Sequence, residues 1–304
     1  MIDRVVDFHG TEALPFSDPG RAERVEVLTR VCATDLLDAL GLGAVSERPG
    51  SKPLKLAARV PARRLARQAT AYDEIVGREG LRAGGAWALS HLARGLEVTG
   101  REGLPDDGPV LVVSNHPGLG DSMALFASIH REDLRVVAAE RRFLQALPNT
   151  SRRLITFDES SPERLGVVRS AVRHLRRGGA VLTFPGGRIE PDPAVLPGAT
   201  EALGRWSASV DLFARLAPEL TIVPAIVSGV ISPTALRSPL TYLRRQERDR
   251  RWLAATLQML VPALRDVVTR VDFGRPVAAS EPGSGSVSER VTQEARRLVE
   301  QRSG

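Results

Sequence analysis

The sequence predicts an α/β fold: a mixed, mostly parallel sheet flanked by helices, with an N-terminal helical region. Two observations carry this. From about residue 97, short apolar runs alternate with helix-length segments, the pattern of strand–helix units on a sheet. Before that point, apolar residues recur at helical spacing. A third observation concerns function. Open α/β sheets place their sites at the carboxyl ends of strands. Two predicted strand ends carry Asn115-His116-Pro117-Gly118-Leu119-Gly120-Asp121 and Pro185-Gly186-Gly187-Arg188-Ile189-Glu190-Pro191.

The elements follow in order. Residues 1–95 read as helices. Val25–Leu40 has helical periodicity and is closed by Gly41 and Gly43. Residues 44–53 are a turn-rich linker. Leu54–Val76 is a basic amphipathic stretch, expected to break near Pro61. Leu81–Leu96 is a further helix. Residues 96–280 read as the α/β unit. Its strands are Val110–Ser114, Leu134–Ala138, Leu154–Phe157, Ala180–Phe184, Thr221–Val227 and Val267–Phe273. Its helices are Ser122–His130, Arg141–Leu147, Pro162–Arg177, Ala199–Leu216 and Arg245–Leu260. Residues 281–304 are a polar linker (281–286) and a last helix, Val287–Arg302.

Composition narrows the function classes. Apolar residues at 42% and charged residues at 26% let 304 residues bury a core, which excludes a disordered chain. The single cysteine, Cys32, excludes an internal disulfide framework and a multi-cysteine zinc site. The first ten residues lack the apolar core of a secretory signal, and no uncharged apolar run reaches about 18 residues. A cytoplasmic protein without a membrane span is expected. The net charge is +6, and Lys52 and Lys55 are the only lysines among 42 Lys+Arg. Arginine suits phosphate through its bidentate fork. Aromatics at 4% supply few stacking platforms, and the acidic residues interleave with the arginines, which disfavours nucleic acid. Anionic lipid and phosphorylated ligands remain as partners.

The first strand end carries chemistry. His116 follows a strand and Asp121 opens a helix, with one proline and two glycines between them. Such a turn brings an imidazole and a carboxylate within hydrogen-bond reach. The carboxylate fixes the tautomer and leaves the other ring nitrogen to take a proton from a hydroxyl. The alternative at this stage is Asp121 as a plain helix cap and His116 as a polar turn residue. His9, His91, His130 and His174 have no acid at comparable spacing. A dinucleotide loop also competes: Gly118 and Gly120 follow a strand, and Glu140 stands where a ribose-binding acid would sit. Met123 occupies its third glycine position. No G-x-S-x-G elbow exists, which disfavours a serine hydrolase.

Asn115, His116 and Asp121 meet an N-H-x-x-x-x-D motif in full. Phe184, Pro185, Gly187 and Arg188 approximate F-P-E-G-x-R-S, and Val223-Pro224 fits an apolar strand with a proline. In this order, over roughly residues 97–230, the sequence resembles the glycerolipid acyltransferase superfamily of lysophosphatidate and glycerol-phosphate acyltransferases. The resemblance implies transfer of a fatty acyl group from acyl-CoA or acyl-carrier protein to a hydroxyl of a lipid or glycerol-phosphate-type acceptor. It makes His116 the general base and Asp121 its orienting acid. Asn115, Gly186, Gly187, Arg188 and Glu190 would bind substrate. No cofactor or metal is implied beyond the acyl carrier as co-substrate. Two departures stand out. Gly186 occupies the usual glutamate position, with an acid appearing later as Glu190. In the segment Ile155–Glu159, Glu159 replaces the arginine that binds acceptor phosphate, and Arg152, Arg153 and Arg188 are the candidates to restore that charge. The basic apolar segments Leu54–Leu65 and Leu240–Leu260 suit an anionic membrane surface. An NAD(P)-binding oxidoreductase and a non-catalytic lipid-binding protein of the same fold are the alternatives.

Overall fold

The computed structural model describes residues 19–158, 164–281 and 285–303. The first half holds α1 (Pro19–Ala39), α2 (Gly43–Ser46), α3 (Lys52–Ser90), β1 (Gly95–Thr99), β2 (Val110–Ser114), α4 (Leu119–Ser128) and β3 (Arg135–Ala139). Next come α5 (Arg142–Gln145), α6 (Pro148–Ser151), β4 (Leu154–Phe157), α7 (Arg164–Leu175), β5 (Ala180–Thr183), α8 (Ala199–Leu203), α9 (Ser209–Leu216) and β6 (Thr221–Ser228). The chain finishes with α10 (Pro233–Leu236), α11 (Glu247–Leu260), β7 (Val268–Phe273), β8 (Val277–Ala278) and α12 (Val287–Ser303). Glu159 and residues 1–18, 162–163 and 282–284 of the expected elements lie outside the described residues.

The strands form one sheet in the order β1-β7-β6-β2-β5-β3-β4, with β8 also paired to β6. β6, β2, β5, β3 and β4 run parallel, whereas β7 and β8 are antiparallel to β6. An unbroken apolar strand is expected where both faces of a sheet are covered, and β2 meets this. Val110 and Val112 join a core with Leu89 of α3 and Leu125 of α4. Leu111 and Val113 join a second core with Leu175 of α7, Phe213 of α9 and Val291 of α12. Burying each such side chain contributes about 1.5–3 kcal/mol.

The N-terminal helices share the first of these cores. Leu28, Ala66, Tyr72 and Val76 belong to the same cluster as Val110 and Val223. Gly85 lets α3 come down on α4. A Cβ on Gly85 would lie 2.7 Å from the Met123 carbonyl oxygen and 2.9 Å from the Ala127 nitrogen. The backbone of α3 is therefore in contact with the backbone of α4.

Several expectations differ from the structure, and the expected linker 44–53 itself holds most of α2 and the start of α3. Pro61 does not break α3. The carbonyl that loses its donor belongs to Ala57, which is exposed and open to water. The helical run is interrupted instead at Gly80, whose φ of 85° and ψ of 175° suit glycine. The expected helix 81–96 ends at Ser90, and Gly95–Thr99 forms an edge strand. On it Leu96 and Val98 face the core, while Glu97 pairs with Arg270 at 2.6 Å. The expected helix 199–216 splits into α8 and α9 because the chain turns at Gly204 and sends the Trp206 indole toward Glu190.

Candidate active site

The parallel strands end together, so the loops after β2, β5, β3, β4 and β6 lie along one edge of the sheet. His116 stands there, two residues beyond β2. Its Nδ1 lies 2.8 Å from Asp121 Oδ2. The histidine side chain keeps 28% of its surface, while that of Asp121 keeps none. The imidazole also rests on the Phe184 ring at 4.7 Å between centroids.

Asp121 is held from both sides. Its Oδ2 also accepts from the Gly118 N–H at 2.8 Å, and its Oδ1 accepts from the Ser122 N–H and from the Ser122 hydroxyl. Asp121 therefore caps α4 and orients the imidazole at once, so the two readings of this residue are one arrangement. These four donors hold the carboxylate in place. Burial is the largest influence on His116 and disfavours its charged form. The Asp121 carboxylate, by charge and by hydrogen bond, and the Glu190 carboxylate outweigh it and hold the imidazole pKa above 6.5.

The backbone around His116 is fixed by other side chains. Asn115 is buried, and its amide exchanges two bonds with the peptide of Val227, at 2.9 and 2.8 Å. The side chain thus copies a strand residue and carries the β2–β6 ladder past Ser114. Both ends of this amide are used within the protein. Glu190 makes a similar exchange on the other side. Its N–H donates to the His116 carbonyl at 2.8 Å, and its Oε2 accepts from the His116 N–H at 2.9 Å. Its Oε1 accepts from the Trp206 indole at 2.9 Å, and the residue is 4% exposed. Burial raises the Glu190 carboxyl above its ordinary range, opposed by the Trp206 and His116 hydrogen bonds and by the charges of His116 and Arg205.

Asp192, absent from the sequence reading, sits two residues further on and is fully buried. Its oxygens accept from the backbone N–H groups of Ala194, Gly229, Val230 and Ile231. This fixes the loop after β6 beside the His116 turn. There the Val230 side chain lies 3.6–3.8 Å from where Cβ atoms on Gly118 and Gly120 would stand. Only a full topology brings residues 192 and 229–231 together; a buried acid directly after Glu190-Pro191 was the available signal.

The other sequence-predicted residues separate into two groups. Gly186, Gly187 and Arg188 form the turn after β5, on the strand next to β2. Gly187 adopts a φ of 62° and donates its N–H to the Phe184 carbonyl. Gly186 faces Glu190: a Cβ there would lie 2.8 Å from the Glu190 carboxyl carbon. Arg188 is exposed. Arg152 and Arg153, by contrast, precede β4 and so lie toward the amino edge of the sheet. Leu154 stands level with Val136, Leu182 and Val112. Arg153 is thus five residues short of His116 along the strands, roughly 16 Å, and three strands away, roughly 14 Å. The structure does not bring this pair to the imidazole. Arg153 instead donates to the Glu132 carbonyl. Glu140 directly follows β3, but β5 lies between β2 and β3. The adjacent strand pair that a dinucleotide fingerprint needs is therefore not formed. Among the described residues no group of three or more His, Cys, Asp or Glu is arranged to hold a metal ion.

Comparison with known proteins adds to this geometry. Residues 95–228 match the family described as Acyltransferase, from the first residue of β1 to the last of β6. Among solved structures, the chain is similar to the 1-acyl-sn-glycerophosphate (LPA) acyltransferase PlsC from Thermotoga maritima. The identity is 16%, the alignment covers 90% of this chain and 97% of that one, and the TM-score is 0.43. No curated protein sequence matches significantly.

Proposed function

We propose that this chain, whose residues 95–228 match the family described as Acyltransferase, moves a fatty acyl group from acyl-CoA or acyl-carrier protein to a hydroxyl of a lipid or glycerol-phosphate-type acceptor. The carrying observation is the His116–Asp121 pair, with a buried, fully bonded carboxylate and a partly exposed ring at the sheet edge where sites collect. With Nδ1–H directed at Asp121, Nε2 takes the proton of the acceptor hydroxyl. The oxygen attacks the thioester carbonyl and a tetrahedral oxyanion forms. Its collapse expels the thiolate, which takes the proton back from Nε2. Of the two glycine amides of the turn after β5, that of Gly187 is engaged with Phe184, so Gly186 offers the donor for the oxyanion. Arg188 is the guanidinium available for an acceptor or carrier phosphate. This chemistry needs base, orientation and oxyanion donors, without a cofactor beyond the acyl carrier.

The enzyme would take its lipid from a membrane surface. No helix among the described residues is long and apolar enough to cross a bilayer. Leu240, Tyr242, Leu243 and Trp252 are exposed around α11, as are Leu56 and Val60 on α3. Arg245 and Arg248 are exposed beside the first group, while Arg244 is committed to Asp249. This combination suits a peripheral position on an anionic surface. The test is release of free thiol from an acyl thioester in the presence of lipid acceptors. Wild type should turn over, and His116→Ala should lose at least a hundredfold. Undiminished activity in His116→Ala would remove the mechanism.

A further inference from the structure

We propose that Glu190 is a positioning residue for the base: it occupies the space left empty at Gly186 and clamps the backbone of His116, rather than contacting substrate. This rests on the reading of His116 as general base.

The geometry carries it. Both carboxylate oxygens of Glu190 are used inside the protein, one by the His116 N–H and one by the Trp206 indole. The residue is 4% exposed, which leaves no surface for a ligand. Its own N–H returns a bond to the His116 carbonyl, so residue 190 grips residue 116 at both ends of one peptide pairing. The carboxyl carbon sits 2.8 Å from where a Cβ on Gly186 would be, so Gly186 and Glu190 fit only as a pair. Two residues later Asp192 ties the same strap to the loop after β6. Glu190 is thus fixed on a rigid segment before it touches His116. The imidazole is then set from two independent directions: Asp121 holds the ring and Glu190 holds the main chain from which the ring projects.

The charged groups facing His116 are Asp121 from the α4 turn and Glu190 from the β5 loop. Arg205 acts on Glu190. Val230 and Phe184 supply apolar walls, and the Asp192 carboxylate is turned to backbone amides. Removing the Glu190 charge alone should therefore make His116 easier to deprotonate.

The experiment compares wild type, His116→Ala, Glu190→Gln and Trp206→Phe in thioester-dependent acyl transfer, with kcat, KM and the pH profile of kcat/KM. A glutamine has one acceptor oxygen for the two donors that Glu190 now serves. The expected result for Glu190→Gln is a kcat about tenfold or more below wild type, KM within about twofold, and an acid limb moved to lower pH. Wild-type kcat with an unmoved acid limb, or a loss confined to KM, overturns the proposal. If Glu190→Gln does not fold, Trp206→Phe carries the test, because it keeps the charge and removes one clamp donor. A kcat two- to tenfold down with KM unchanged supports the proposal, and wild-type kcat overturns it. His116→Ala separates the two levels. If it is as active as wild type, the base reading fails. If it is inactive while the Glu190 and Trp206 variants match wild type, only the clamp fails.

Discussion

Replacing Asp121 by asparagine should be the most damaging isosteric change in the protein. The carboxylate now accepts four bonds, from His116 Nδ1, the Gly118 N–H, the Ser122 N–H and the Ser122 hydroxyl. An amide has one acceptor end. With its NH2 toward Ser122, it confronts the N–H there and forfeits two bonds. With its NH2 toward His116, it confronts the Gly118 N–H and donates to Nδ1, which forces the proton onto Nε2 and leaves no base. Either way at least one buried donor loses its partner, at about 1–3 kcal/mol of stability. In a serine-protease triad the same exchange costs about 10⁴-fold in kcat by tautomer reversal. We expect about 10³–10⁴-fold here, equivalent to about 4–5.5 kcal/mol of transition-state stabilisation. The assay is steady-state thiol release from an acyl thioester, with a thermal melt to verify folding. A folded Asp121→Asn protein within tenfold of wild-type kcat would refute the reasoning.

Further outcomes follow from the same structure. Because Asp121 and Glu190 hold the His116 pKa above 6.5, kcat/KM should rise with pH through a limb centred above 6.5. The raised value also means that protonated His116 stabilises the fold fully below about 6.5, and that this contribution fades as pH rises through the folded pKa; a His116→Ala melt series across that range reads it. Gly85→Ala should push α3 off α4, lower stability by about 1–3 kcal/mol in a urea titration and reduce kcat through Asp121; an unchanged midpoint would contradict the backbone contact. Leu243→Ser with Trp252→Ser should cut sedimentation with anionic vesicles several-fold while leaving turnover of a water-soluble acceptor intact. Burial pushes the Cys32 thiol up to about 12, so native protein should resist maleimide at pH 8 and react on unfolding.

The sheet was legible where a strand is apolar on both faces. Val110–Ser114 was found to the residue, since an unbroken run needs no knowledge of partners; Leu154–Phe157 was found equally well, although it is an edge strand with Thr156 exposed. Gly95–Thr99 and Val277–Ala278 were not, because each shows the core one or two side chains and depends on a neighbour for the rest. The helix break moved from Pro61 to Gly80 because a proline costs one bond, here beside exposed Ala57, whereas a positive φ ends the helix outright. In the site, the spacing allowed His116 and Asp121 to meet but left Asp121 open as a plain helix cap, and the structure combines the two roles. The groups that hold this turn are the Val227 backbone, paired with the Asn115 amide, and the Glu190 carboxylate on the strap anchored by Asp192, and no local pattern joins them. Arg152 and Arg153 show the converse. They were chosen for charge, although their place before β4 rather than after it already assigned them to the opposite edge.

The bond between Asn115 and Val227 spans 112 residues of chain. Loops closed over such distances form late, after local helices. During synthesis the helices up to α4 emerge first, with His116 and Asp121 already neighbours in sequence. The Asn115 amide beside the imidazole has nothing to grip until β6 has been made and lies beside β2, although Glu190, made earlier, pairs with the His116 backbone. The nascent protein therefore carries an incompletely anchored His116 turn for more than a hundred residues of elongation. The hold on the His116 turn is complete only with the closing of the sheet.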